Sequence, residues 1–235
     1  MPLRIVECRS PNHDARPDGS AIDILVLHYT GMKTAEEALA RLCDPAARVS
    51  AHYTIDRDGR IYAHVPEERR AWHAGVSYWA GETNVNARSI GIELVNPGHE
   101  FGYVPFPPEQ IEALIDLCGG ILQRHPIPAA RVLGHSDVAP ARKADPGELF
   151  PWRQLSEFGI GVWPSRLGNG RGVPLGGTKE AFCDALARFG YGTPPQVVWP
   201  LERTVAAFQR HFRPSCINGI ADAECETVLA ALLDA

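Results

Sequence analysis

The sequence predicts an α/β protein, a mixed central β-sheet flanked by helices, followed by a small C-terminal three-helix domain. Three observations carry the prediction. Short apolar runs of strand length alternate with longer stripes of helical period up to about residue 158. Two of the runs flank Asp58-Gly59, a strong hairpin signal. After Trp152 the texture shifts to a Gly/Pro-rich stretch over residues 159–177 and then to three short amphipathic stripes.

In chain order, Ile22 to Leu27 is an apolar run ending at His28 and reads as a buried strand. Thr34 to Glu37 forms a capping box that opens a helix through Leu42, stopped at Asp44-Pro45. His52 to Ile55 and Arg60 to Val65 are the arms of the hairpin, and Ser89 to Val95 is a further strand ended by Asn96-Pro97-Gly98. From Pro108 a long helix places Ile111, Leu114, Ile115, Cys118 and Leu122 on one stripe and stops before His125-Pro126. The short run Arg131-Val132-Leu133 delivers His135. Gly134 to Gly147 then shows no period, and Pro140, Pro146 and Gly147 make it a loop.

The larger domain is thus expected over residues 1–158, with 159–177 as a linker in which Trp163 packs on something. In 178–235, Thr178 caps a helix whose Phe182, Leu186 and Phe189 share a face before Gly190 ends it. Leu201, Val205, Phe208 and Phe212 form a second stripe, and Asp222 caps a third carrying Val228, Leu229, Leu232 and Leu233. None of these helices can bury its stripe alone, so they are expected to pack together.

At 235 residues, 45% hydrophobic and 22% charged, the chain has the composition of a soluble globular protein. A net charge of -5 gives no reason to expect nucleic acid as a partner. No run approaches the ~20 apolar residues of a membrane span. The first residues lack the apolar stretch of a secretory signal, and the six cysteines have no CxxC spacing. Cys43, Cys118 and Cys183 fall on apolar helix faces; Cys216 and Cys225 are the pair favoured for any disulfide by separation alone. Both features point to the cytoplasm, with a periplasmic protein that has lost its leader as the alternative.

The chemistry concentrates in Gly134–Gly147, which holds His135, Asp137, Lys143 and Asp145 with no role for them in a hydrophobic core. His28 and His135 both stand at strand ends. With one carboxylate they make a three-ligand set that leaves zinc's fourth position for water. Asp145, in the loop that follows, can supply that carboxylate, and Asp137 is equally eligible on residue type. Glu93 sits among apolar residues of a strand, where a carboxylate must be paired or have its pKa raised; a general base and a structural salt bridge fit equally. Lys143 suits oxyanion support or plain solvation. His13, His99, His125 and His211 read as hydrogen-bonded or surface residues, and His64 receives no role.

Several segments occur together in order: Leu25-Val-Leu-His28-Tyr-Thr30, Val49-Ser-Ala-His52-Tyr53, Ala71-Trp-His-Ala-Gly75, Ser89-Ile-Gly-Ile-Glu93, Gly134-His135-Ser-Asp137 and Lys143-Ala-Asp145-Pro146-Gly147. Over about residues 20–158 the chain therefore resembles the zinc N-acetylmuramoyl-L-alanine amidases of the amidase-2 type. Val205–Phe212 and Asn218–Asp222 are similar to a peptidoglycan-binding three-helix module. The resemblance implies that His28, His135 and Asp145 bind Zn2+, and that Glu93 and Lys143 are the catalytic pair. It also implies that His73, Asn86 and Arg88 lie in segments lining the substrate groove. Asp137 then becomes a residue that orients the loop, and His52 a structural one. The implied reaction is hydrolysis of the muramoyl–L-alanine amide of peptidoglycan fragments, in cytoplasmic cell-wall recycling. The alternatives are a periplasmic amidase acting on murein and, in another class, a peptidoglycan recognition protein that binds without cutting.

Overall fold

The computed structural model of the chain describes residues 5–164 and 177–234. Most of the expected linker, residues 165–176, lies outside the described residues. The elements begin with β1 (Ile5–Glu7), β2 (His13–Ala15), β3 (Ile24–Tyr29), α1 (Ala35–Cys43), β4 (Tyr53–Ile55), β5 (Ile61–Ala63) and β6 (Arg69–Ala71). There follow α2 (Val85–Arg88), β7 (Ser89–Leu94), α3 (Gly98–Phe101), α4 (Pro108–Arg124), β8 (Val132–Gly134), α5 (His135–Val138) and α6 (Trp152–Ser156). The chain closes with α7 (Lys179–Phe189), α8 (Leu201–Phe212) and α9 (Ala223–Leu233).

The main sheet is mixed, in the order β1-β5-β4-β7-β3-β8, and β2 pairs with β6 in a small antiparallel ribbon. The β4–β5 hairpin supplies the antiparallel step; β4, β7, β3 and β8 run parallel. Strand alternation decides which side each residue faces. On β3, Leu25 and Leu27 pack with Ile90, Ile92 and Leu94 of β7 against Ile111, Leu114, Cys118 and Ile121 of α4. Ile24 and Val26 face the other way and join Phe182, Leu186, Val205, Phe208, Phe212, Val228 and Leu229. Helices α7–α9 thus pack on one another and also close the second face of the sheet, in one continuous core.

Caps account for the helix starts. The Thr34 hydroxyl accepts the Glu37 N–H at 3.2 Å, Thr178 accepts the Ala181 N–H at 3.1 Å, and Asp222 accepts the Cys225 N–H at 3.0 Å. Trp163 packs against Phe212, 6.4 Å between ring centroids. Two features differ from the sequence expectations. His135 to Val138 is a single helical turn rather than loop, because buried Asp137 folds back to accept the Gly134 N–H at 2.7 Å. The N-terminal strands β1 and β2 carry no alternating pattern and form by pairing with β5 and β6. The favoured cysteine pair is also corrected: Cys225 is buried with its sulfur 3.5 Å from Gln209 Nε2 and 3.7 Å from the Ile220 carbonyl, while Cys216 is exposed. The sulfurs that meet belong to Cys8 and Cys43, 3.3 Å apart. No helix among the described residues is long and apolar enough to cross a membrane.

Candidate active site

Three parallel strands end together, and the chemistry sits on that edge. In register, His28 on β3 lies opposite Glu93 on β7, and Leu27 lies opposite Gly134 on β8, so His135 follows one step past its strand beside His28. Carboxyl ends of parallel strands are where open α/β sheets build their sites. The loop after α5 returns Asp145 to the same place, fixed by the Ser136 N–H donating to the Asp145 carbonyl at 2.9 Å.

His28 Nδ1, His135 Nδ1 and Asp145 Oδ2 converge, separated by 2.9, 3.1 and 3.0 Å, and all three residues are buried. The hydrogen-bond partners on the far side of each ring fix where the protons are. The Ser89 hydroxyl donates to the Val85 carbonyl at 2.7 Å, so its oxygen accepts from His73 Nε2–H at 3.1 Å. His73 Nδ1 therefore accepts from His28 Nε2–H at 3.0 Å. His135 Nε2–H donates to the Ala74 carbonyl at 3.1 Å. Both Nδ1 atoms are left with lone pairs aimed at a carboxylate oxygen, and no hydrogen lies between any two of the three donors. Three such groups repel one another in a buried place unless a cation joins them. Their separations are close to the ~3.3 Å edge of a tetrahedron with ~2.05 Å metal bonds. The donor set fits a divalent metal of the zinc kind.

Electrostatics agree. Burial, then the neighbouring His135, takes His28 down to about 4, so its ring is neutral. Glu93 goes the other way: burial and then the Asp145 charge push it well above the ordinary carboxylate value, with Lys143 opposing. Its Oε2 is shielded and has no hydrogen-bond partner among the described residues. A cavity of about 170 Å³ opens over these groups, lined by Glu93, His135, Lys143 and Asp145, by Trp72, and by Ala38, Arg41 and Leu42 of α1.

The five residues expected to carry the chemistry are therefore brought together. Of the three expected groove residues, His73 lines the cavity and Asn86 and Arg88 do not. Asn86 Oδ1 accepts the Ala74 N–H at 2.8 Å and the His73 N–H at 3.2 Å, so it shapes the backbone behind the site. Arg88 donates from Nε to Asp23 at 2.9 Å, at the opposite end of β7 from Glu93, ~16 Å away along the strand. Neither lines the cavity. His73 does reach the cavity wall, but both its nitrogens are engaged, and its work is to hold His28. It can do so because β7 carries Gly91, where a Cβ would lie 2.4 Å from the His73 ring. His52 is structural, as expected: Nδ1 accepts the Gly91 N–H at 3.0 Å and Nε2–H donates to the Arg69 carbonyl at 3.1 Å.

Sequence reasoning missed how far the C-terminal helices reach into the site. Fully buried Asp137, two residues past His135, accepts from the Tyr191 hydroxyl at 2.7 Å and from His211 Nδ1–H at 2.7 Å. His211 stacks on Trp152 at 3.8 Å. Its position on the apolar side of α8, beside Phe208 and Phe212, was the available signal.

Two nitrogen ligands and a carboxylate beside a shielded, protonatable glutamate are the equipment of hydrolases that activate water. The chain belongs to the amidase-2 family: residues 18–148 match the family model described as N-acetylmuramoyl-L-alanine amidase. It is 41% identical to the N-acetylmuramoyl-L-alanine amidase AmiD of Escherichia coli (strain K12), across 98% of this chain and 90% of the relative. The 1,6-anhydro-N-acetylmuramyl-L-alanine amidase AmpD of Enterobacter cloacae is 37% identical across 62% of this chain and 85% of its own. The fold matches the solved complex of E. coli AmiD with anhydro-N-acetylmuramic acid-L-Ala-D-gamma-Glu-L-Lys at a TM-score of 0.81, with 40% identity, over 93% of this chain and 91% of that one.

Proposed function

We propose that this chain is a zinc enzyme that hydrolyses the amide joining the lactyl group of N-acetylmuramic acid, or its 1,6-anhydro form, to L-alanine. The observation that carries the proposal is the convergence of His28 Nδ1, His135 Nδ1 and Asp145 Oδ2 within 3.1 Å, beside a Glu93 Oε2 that has no hydrogen-bond partner among the described residues. His28, His135 and Asp145 hold the zinc, which when bound supplies Lewis acidity toward the scissile carbonyl and toward the attacking water. Glu93 takes a proton from that water at Oε2 and returns it to the departing alanine nitrogen; its raised pKa makes it a competent acid for the second transfer. Lys143, which lines the cavity, supports the negative charge that grows on the carbonyl oxygen. His73 and the Ala74 carbonyl keep both imidazoles in the ligating tautomer. A protein that only recognised peptidoglycan would have no use for the complete set.

The substrates are muropeptides with an L-alanine-led stem, and the role is cytoplasmic cell-wall recycling. A second reading, an envelope enzyme that works on murein, is favoured by α7–α9, which resemble a wall-binding module. Purified protein should contain one zinc per chain, lose activity on chelation, and release an L-alanine-led peptide from a soluble 1,6-anhydro-muropeptide. Full activity in metal-free protein, or cleavage at another bond, overturns the chemistry. Peptide release from intact sacculi but not from the soluble substrate overturns the recycling role alone.

A further inference from the structure

A second cluster of reactive side chains lies apart from the metal centre. Cys8 follows β1, and its N–H extends the ladder to the Ala63 carbonyl at 2.9 Å. Cys43 is the last residue of α1. Their sulfurs are 3.3 Å apart, both residues are half-buried, and His64 Nδ1 lies 3.9 Å from Cys43 Sγ.

Two chemistries suit such a cluster, a metal site and a disulfide, and the protons on His64 separate them. The shared Cys8 carbonyl, 2.7 Å from His64 Nδ1, can only accept, so Nδ1 carries the hydrogen. Nε2 then accepts from the Thr54 hydroxyl at 2.8 Å. The imidazole thus has no lone pair to offer a cation beside the sulfurs. Burial lowers its pKa, which keeps the ring neutral and leaves it no charge with which to stabilise thiolates. Two thiols without a third ligand make a poor zinc site. Burial and the adjacent Cys8 push the Cys43 thiol up to about 12, so it stays protonated at neutral pH.

We propose that Cys8 and Cys43 form a reversible disulfide that fastens the wall of the substrate cavity to the edge of the sheet. The oxidant is a small-molecule disulfide such as oxidised glutathione. Cys8, as thiolate, attacks one sulfur of the oxidant and releases one thiol. Cys43 then attacks the mixed disulfide, its proton passing to the second departing thiolate. One S–S bond forms, two thiol protons are lost, and two electrons reduce the oxidant to two thiols.

The consequence falls on α1, whose Ala38, Arg41 and Leu42 line the cavity. The end of that helix is already held by the residues after Cys8. Ser10 donates its hydroxyl to the Leu42 carbonyl, and Asn12 Nδ2 donates to the carbonyls of Asp44 at 2.8 Å and Val49 at 2.9 Å. In return the Ser50 hydroxyl donates to the Asn12 carbonyl at 2.6 Å. A covalent link at Cys8–Cys43 makes this clasp permanent. It also closes a loop of about 35 residues in the unfolded chain, where cross-links are stabilising.

The test uses the full-length, zinc-loaded protein equilibrated with reduced and oxidised glutathione at graded ratios. Thiols are alkylated, and peptides are mapped by mass spectrometry without reduction. The expected result is a Cys8–Cys43 cross-linked peptide, loss of two alkylatable thiols, and a Tm higher by roughly 5–10 °C in the oxidised form. Addition of a dithiol reductant should reverse all three, and Cys43→Ser should lose the Tm response while keeping zinc at the main site. Persistent free thiols at both positions, stable glutathione adducts in place of the cross-link, or a cross-link between other cysteines overturns the proposal. So does a second zinc per wild-type chain that Cys43→Ser removes.

Discussion

Glu93 and Gly91 share one face of β7, and their different tasks show how much a single position decides. Glu93 needs its carboxyl shielded and partnerless, and its pKa raised by burial. Glu93→Gln is therefore expected to keep zinc and lose ~10²–10⁴ in kcat, while Lys143→Ala keeps zinc and loses ~10²–10³. Steady-state kinetics with metal analysis check both, and near wild-type turnover removes the assigned role. Gly91 contributes only the absence of a side chain: a Cβ there would sit 2.4 Å from the His73 ring. Gly91→Ala should displace His73 from His28 and weaken zinc binding ~10–100-fold, read by competition with a chromophoric chelator. Unchanged affinity would show that His73 does not support the ligand. At this scale His28, His135 and Glu93 were legible as polar residues at strand ends or among apolar neighbours. The preference for Asp145 over Asp137 rested on resemblance alone, because the contact that returns Asp145 to the site, Ser136 to its carbonyl, leaves no local pattern.

Among elements, strands and helices were legible wherever one face is buried. The two faces of β3 serve two partners, α4 on one side and α7–α9 on the other. Phe208 lies on that second side, fully buried in the core that includes Val26 and Leu133. Phe208→Ala should cost about 3–5 kcal/mol and shift one single unfolding transition in urea, since helices and sheet share a core. Two separate transitions, with only the smaller one moved, would show that the helices fold alone. The turn α5 depends on the same contact. In Asp137→Asn an amide replaces an acceptor that serves Gly134, Tyr191 and His211. The expected loss is about 2–4 kcal/mol, together with weaker zinc binding, because the turn begins at His135, a proposed zinc ligand. A calorimetric Tm and the chelator assay measure the two effects, and a change in Tm without any change in zinc affinity would separate α5 from the metal site. None of this could be read from α8 alone, whose stripe predicts burial but not the partner.

For the molecule as a whole, acid should act first through buried neutral imidazole. Burial, followed by the nearby Arg16, takes His52 down to about 3. The unfolded ring binds its proton near 6.5, so this stability is complete above that pH and is lost progressively as pH falls toward 3. By pH 5 the loss from His52 alone is about 2 kcal/mol, and Tm should drop by at least roughly 4 °C between pH 7.5 and 5. Burial would raise Glu67, but hydrogen bonds from Arg124, His125 and Tyr53 take it down to about 2, so its contribution persists until the pH is below its unfolded value. A Tm that stays flat from pH 7.5 to 5 would mean that His52 is not held neutral in the fold. By itself the sequence determined the secondary structure with strong periodicity, the caps at Thr34, Thr178 and Asp222, and the residue types available for a water-activating metal site. These are local properties, set by side-chain spacing and capping chemistry over a few positions. Only the tertiary structure decided that His73 holds His28 while lining the cavity, that Asn86 shapes the backbone behind the site, that α7–α9 reach the His135 turn through Asp137, and that Cys8 meets Cys43. Each of those rests on a contact between residues distant in the chain, which packing creates and sequence spacing does not record.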